Sequence, residues 1–298
     1  MKKFILRFGF FLLIMFVVDR IFGVSCHYMY DHVKSGEFYR TKCILESPVS
    51  DVLIMGSSRG AHHYDVDVIE DSLGLSCYNC AEDGNGILLQ YARYREIKKR
   101  YLPKIIIYDI LPEFDYLDKF DNHKFLPELR LMGNNDWARQ TIYEVDSNER
   151  IKLASAMYQY NSQWYELIRE QRGNIGNHVK GFLPVDDTLK YEPIQQSIQK
   201  YSVDSLKRRY LIQFANECKK DGVRLFFCVS PIYKAVNNSE YDEIMMFCEK
   251  NHLIFEDFRN EFTDRNMFYD PVHLNREGAR LFTNRLVRRL EHGLHKKQ

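Results

Sequence analysis

Five short apolar runs, each closed by a polar or glycine residue and separated by longer stretches of helical spacing, restrict this chain more than any other feature. They are Asp51–Met55, Ser76–Asn79, Lys104–Tyr108, Val223–Val229 and Leu253–Phe255. Val52 to Met55 is apolar without alternation and ends at Gly56, which suits a strand buried on both faces. Gly86 to Arg100 carries Leu88 and Tyr91 on a helical period, with Lys98, Lys99 and Arg100 in the last turn and Pro103 just beyond. Leu206, Tyr210, Phe214 and Cys218 recur every four residues until Gly222 stops the helix. A further helix opens near Ser239 and lines up Tyr241, Ile244, Met245 and Cys248. Strands alternating with helices pair in parallel, so the expected fold is a three-layer α/β/α domain around a five-stranded parallel, flavodoxin-like sheet.

That domain is expected over 51–291, followed by a basic tail at 292–298. Residues 115–203 break the rhythm, being rich in Tyr, Asn, Gln and charge, with Gly-Asn-Asn at 133–135 and Gly-Asn-Ile-Gly at 173–176. They read as an inserted set of helices and loops beside the carboxyl edge of the sheet, where such sheets hold ligands. Its aromatic residues, Trp137 and Trp164 among them, either stack on sugar rings or serve the insertion's own small core. At the other end, Phe4 to Val24 is dominated by Phe, Leu, Ile and Val, and as a helix it would span roughly 32 Å, about one hydrocarbon core. Lys2, Lys3 and Arg7 lead the apolar run, which places the N-terminus inside and all that follows residue 24 outside the cell membrane. The expectation is a single-pass transmembrane signal anchor over 1–24 and a membrane-proximal stalk over 25–50, with Asp19 and Arg20 snorkelling at the outer interface. A cleaved signal peptide ending before Cys26 is the alternative, and a soluble protein with a buried first helix is another.

Charge excludes one large class. Lys and Arg number 42 against 41 Asp and Glu, a net charge of +1, so the chain has no global field with which to collect nucleic acid. Seven cysteines spread over the length are an odd number, unlike a dense disulfide framework, and read as core thiols. Cys77 and Cys80, on a strand, point to opposite faces and do not make a metal site.

Two segments far apart carry the chemistry: Ile54-Met-Gly-Ser-Ser-Arg-Gly60 after the first strand, and Tyr269-Asp-Pro-Val-His-Leu-Asn275 before the last helix. Serine is a weak nucleophile until a base removes its proton. The first segment offers a hydroxyl on a strand-to-helix turn, where backbone N–H groups favour a developing oxyanion. The second offers Asp270 and His273 on one loop, with Asn275 placed to cap the helix that runs to about Leu290. If both lie at one edge of the sheet, His273 reaches Ser58 and Asp270 fixes the imidazole tautomer.

On these residues the chain resembles the SGNH (GDSL-type) hydrolase superfamily over roughly 51–291. Gly56-Ser57-Ser58 is similar to its first block, with Ser in place of Asp, and Asp270-Pro-Val-His273 is similar to its last. The resemblance implies Ser58 as nucleophile, His273 as base and Asp270 as its orienting acid, with no metal or organic cofactor. Tyr78-Asn-Cys-Ala-Glu-Asp-Gly84 is similar to the second block, which implies Gly84, with Asn85 beside it, on the oxyanion or substrate side. The third block should bring an Asn after the third strand. Here the chain has Tyr108-Asp-Ile-Leu-Pro-Glu-Phe114 instead, and a lost oxyanion donor can cost about 10²- to 10³-fold in rate. A closer likeness is to the membrane-anchored, extracytoplasmic branch that assists membrane-bound O-acyltransferases in decorating cell-envelope polymers. The resemblance therefore implies an acyl-esterase or O-acyltransferase acting on acetyl or similar esters of envelope glycans, or alternatively a catalytically weak accessory protein that binds glycan or supports such a transferase. Read as a phosphate cradle instead, the Gly-Ser-Ser-Arg turn leaves Asp270 and His273 unexplained. Arg59 either neutralises an anionic substrate or pairs with a nearby carboxylate. His62 and His63 read as an exposed first helical turn rather than metal ligands.

Overall fold

The structure is a computed structural model that describes residues 1–46, 48–132, 135–173, 179–192, 201–234 and 239–295. The expected turns at 133–134 and 174–176, and the end of the basic tail at 296–298, lie outside the described residues. In chain order the first elements are α1 (Lys2–His32), α2 (Gly36–Leu45), β1 (Val52–Gly56), α3 (Ser58–His63), α4 (Val66–Leu73), β2 (Cys77–Asn79), α5 (Ile87–Ile97), β3 (Ile105–Asp109) and α6 (Pro112–Asp115). Then come α7 (Leu126–Leu131), α8 (Asp136–Val145), α9 (Glu149–Lys152), α10 (Trp164–Glu170), α11 (Ser205–Lys220), β4 (Arg224–Val229), α12 (Ser239–Lys250), β5 (Ile254–Asp257) and α13 (Arg276–His295). The chain divides into two compact units, Met1–Cys43 with Asn122–Asn177, and Ile44–Asp121 with His178–Gln298.

The second unit holds the sheet. All four strand pairings are parallel and the order is β2-β1-β3-β4-β5, the order of flavodoxin-like doubly wound sheets. Each strand begins and ends within a residue or two of its expected place, and β1 and β3 bury every residue, which leaves no polar face to blur their pattern. One face of the sheet packs on α4 and α13 through Val52, Ile54, Ile107, Ile69, Phe282 and Leu286. The other carries an aromatic layer in which Tyr91, Tyr94 and Tyr108 meet Phe214, with ring centroids 5.4–5.8 Å apart. Reversal of strand order between β1 and β3 opens a crevice at their carboxyl ends, and α3 starts there.

In the first unit, Cys26, Val33, Phe38, Leu131, Tyr160 and Leu167 make a small core, and Trp164 stacks edge-on against Phe22 at 6.4 Å. The Glu170 carboxylate accepts from the N–H groups of Glu37 (2.9 Å) and Phe38 (3.1 Å), capping α2 from a distant part of the chain. Of residues 25–50, expected as a stalk, those up to Leu45 are largely helical, in α1 and α2. Among the described residues no helix is long and apolar enough to cross a membrane. Asp19 and Arg20 pair with each other at 2.7 Å. Asp19 accepts from the N–H groups of Ala156 (2.9 Å) and Met157 (3.0 Å) and from Ser155 Oγ, Arg20 donates to the Ala154 carbonyl, and Gly23 packs against Ala156 where a Cβ would clash at 2.4 Å.

Candidate active site

β1 ends in a residue that only glycine can be. Gly56 has φ of +131°, and a Cβ there would lie 2.4 Å from the Asp109 carbonyl oxygen. The chain can then turn sharply, so that Ser57 is buried at the N-cap and Ser58 opens α3. Ser58 Oγ donates to His273 Nε2 at 2.8 Å, and His273 Nδ1–H donates to Asp270 Oδ2 at 2.8 Å. The other Asp270 oxygen accepts from the N–H groups of Val272 (2.8 Å) and His273 (2.9 Å). Burial pushes the Asp270 carboxyl up, but His273 and those two N–H groups outweigh it and hold the group below its ordinary range. The structure thus brings together three residues that the sequence spreads over more than 200 positions.

Loop contacts explain the precision. Tyr269 N–H donates to the His273 carbonyl (2.8 Å) and Tyr233 N–H to that of Pro271 (2.9 Å). Asn275 caps α13 as expected, its Oδ1 accepting from Gly278 N–H at 3.0 Å, while its Nδ2 donates to the Asn266 carbonyl at 2.7 Å.

The loop after β2 is fastened to β1 and α3. Glu82 N–H donates to the Gly56 carbonyl (3.1 Å), and Asn79 Nδ2 donates to that of Gly60 (2.8 Å). Buried Arg93 pairs with Glu82 and donates to the Cys80 carbonyl at 3.1 Å. Gly84 sits in this loop at φ +69°. Asn85 departs from its expected role, since both hydrogens of its amide are committed inside the loop, to Glu82 Oε1 (3.1 Å) and the Asp83 carbonyl (3.2 Å).

Arg59 also departs from a substrate-binding role. The turn of α3 aims its side chain under the sheet edge, where it is 1% exposed, lies 3.1 Å from Asp109 Oδ1 and donates to the Ile110 carbonyl at 3.0 Å. Of its two readings, the carboxylate pair is the one present. The two histidines are not an exposed turn either. His63 is fully buried, and His62, with 12% of its side chain exposed, bridges Asp83 Oδ2 (3.1 Å) and the Leu183 carbonyl (2.5 Å). Their rings meet that of His273 edge-on, with centroids at 5.6 Å for His62 and 6.1 Å for His63. Among the described residues no group of three or more His, Cys, Asp or Glu could hold a metal ion.

After β3, where an Asn donor would complete an oxyanion hole, the side chains are acceptors or are already bonded. Asp109 Oδ2 accepts from Tyr64 Oη (2.6 Å) and Ser230 N–H (3.2 Å). Asp115 accepts from Tyr108 Oη (2.7 Å) and from the N–H groups of Leu111 (2.7 Å) and Ile87 (2.8 Å). Lys207, buried, donates to the carbonyls of Glu113 (3.1 Å), Leu117 (2.6 Å) and Phe120 (3.3 Å), which fixes the loop beyond α6.

No family model matches the chain, and no curated protein sequence matches it. Among solved structures it is similar to a protein from Bacteroides fragilis described as an acylhydrolase, at 10% identity and a TM-score of 0.41, covering 84% of this chain and 94% of that one. It is also similar to a protein of Desulfitobacterium hafniense DCB-2 described as a lipolytic protein of the G-D-S-L family, at 8% identity and a TM-score of 0.38, covering 80% of this chain and 97% of that one.

Proposed function

We propose that this protein is a serine acyl-esterase or O-acyltransferase that works through Ser58, His273 and Asp270. The observation that carries the reading is the unbroken run of hydrogen bonds from Ser58 Oγ through the His273 ring to Asp270, each 2.8 Å long. As Ser58 Oγ bonds to the ester carbonyl carbon, its proton passes to His273 Nε2, and Asp270 stabilises the imidazolium. The N–H groups of Ser58 and Gly84 receive the oxyanion. The ester C–O bond then breaks, His273 returns the proton to the leaving alkoxide, and the acyl group stays on Ser58. Water or a glycan hydroxyl next gives its proton to His273 and takes the acyl group, regenerating the serine. The substrates in this reading are acetyl or similar esters of envelope glycans, and a membrane-bound O-acyltransferase is the partner. No step calls for a metal or organic cofactor.

Full-length protein in detergent is the material for the test. Ser58→Ala should abolish labelling by a fluorophosphonate probe and turnover of p-nitrophenyl acetate, while Ser57→Ala keeps both; labelling that persists in Ser58→Ala removes the assignment. A second reading, an accessory protein with a degraded site, is favoured by one observation, the lack of a free side-chain donor between Tyr108 and Asp115. Wild-type protein that neither labels nor turns over ester at any pH would support it.

Placement at the cell membrane, with the sheet unit on the extracytoplasmic side, belongs to the same proposal. Its support is the exposed apolar surface of α1 from Phe4 to Val18, led by Lys2, Lys3 and Arg7. Flotation with vesicles should be lost on deletion of residues 2–18, and protease added to spheroplasts should cut the sheet unit. Protection of that unit until the cells are lysed would refute the outward placement.

A further inference from the structure

We infer that His63 is a positioning residue for His273, holding the base's peptide in the one orientation that points its imidazole at Ser58. The inference rests on the triad reading above. α3 carries Ser58 at its first position and His63 at its last, so one short helix presents both the nucleophile and this second, buried imidazole. His63 Nε2 accepts from Leu274 N–H at 2.9 Å. A backbone N–H can only donate, so Nε2 carries no proton, and Nδ1–H donates to Ser230 Oγ at 2.7 Å. One tautomer satisfies both contacts.

The peptide unit held in this way is the one joining His273 to Leu274. Its carbonyl oxygen, that of His273, accepts from Tyr269 N–H at 2.8 Å, and its N–H is held by His63. Fixing both ends of this peptide fixes ψ of His273, and with it the direction in which the side chain leaves the loop. The clamp is anchored behind as well. Ser230 N–H donates to Asp109 Oδ2 (3.2 Å), and the His63 carbonyl accepts from Thr283 Oγ1 (3.2 Å) on α13. Burial disfavours the charged form of His63, and the His273 ring, Arg59 and His62 add to that, so its acceptor nitrogen stays free across the working range.

The test compares two replacements of similar volume in the full chain. His63→Gln keeps an acceptor oxygen near the position of Nε2, whereas His63→Met does not. A misplacement of about 1 Å can cost on the order of 10²-fold in rate. His63→Met should therefore lower kcat on p-nitrophenyl acetate by about 100-fold with KM little changed. His63→Gln should recover most of that loss. The readout that a merely structural role would not move is the NMR chemical shift of the His273 Nδ1 proton, recorded also in a Ser58→Ala background. That resonance should move in His63→Met and return in His63→Gln. Equal losses in the two variants, a kcat loss that only follows the melting temperature, or an unmoved His273 Nδ1 proton resonance would overturn the inference. If instead Ser58→Ala keeps wild-type turnover, the triad reading fails by itself, and the NMR comparison still decides whether His63 holds His273.

Discussion

Arg59 and Ser58 are neighbours in sequence with opposite fates, because the first turn of a helix sends consecutive side chains about 100° apart. Ser58 meets His273 at the sheet edge, while the guanidinium next to it goes under the sheet to Asp109. Breaking a buried ion pair from one side leaves the other charge uncompensated, so Arg59→Met should cost about 3–5 kcal/mol in urea unfolding. Its effect on KM should be the same for neutral and anionic esters, since no substrate touches it; a rise confined to anionic esters would show that it binds substrate after all. The meeting of Ser58, His273 and Asp270 in one hydrogen-bonded run was readable from sequence because each sits in a short motif whose residue types have few other uses together. The direction of Arg59, the burial of His62 and His63 and the committed amide of Asn85 were not. The first two depend on what a distant segment offers, Asp109 on β3, Leu183 and the Leu274 N–H, and the third on a local carboxylate, Glu82, that Arg93 holds in place.

At the scale of elements, the strands could be read almost to the residue, whereas the connection after β3 could not. β1 and β3 are buried throughout, and nothing in such a run competes with the apolar signal. α6 is only four residues long, too short for a period, and is held by tertiary bonds, from Ile87 N–H to Asp115 and from Lys207 to the Glu113 carbonyl. Asp115 serves two elements, since it also accepts from Ile87 N–H at the start of α5. Burial pushes its carboxyl up to about 7, against the pull of its three donors and of Lys207. A carboxyl whose pKa is raised on folding keeps its proton in the folded state when the unfolded chain has lost it. The stability it confers is thus complete below the ordinary carboxylate range and is lost as pH rises towards about 7. Asp115→Asn has no such titration. Urea midpoints of wild type and Asp115→Asn should therefore differ more in favour of the wild type at pH 5 than at pH 8, and a gap that stays constant between the two pH values would show that Asp115 is ionised throughout.

For the whole molecule, the partition of the chain bears on where it can be cut. Composition suggests a boundary near residue 24, where the apolar run ends, and a soluble fragment starting there is the natural choice from sequence alone. The structure argues for an earlier start, because the unit formed by Met1–Cys43 and Asn122–Asn177 uses α1 from Asp19 onwards. The Asp19 carboxylate satisfies three consecutive donors at Ser155, Ala156 and Met157, and Gly23 allows the helix to approach Ala156 closely. Sequence could show that Asp19 and Arg20 interrupt an apolar helix, but not that the 154–157 turn presents the three donors that Asp19 accepts from and the carbonyl that Arg20 donates to. Removing residues 1–24 would leave those N–H groups without a protein acceptor and strip Phe22 from Trp164. A fragment covering 19–298 should thus resist limited trypsin digestion between 122 and 173, while one covering 25–298 is cut there first, at Arg150, Lys152 or Arg169. The single change Asp19→Ala in the full chain should produce the same early cuts with the rest of the sequence intact. Identical digestion patterns for all three would mean that α1 contributes nothing to the stability of that unit.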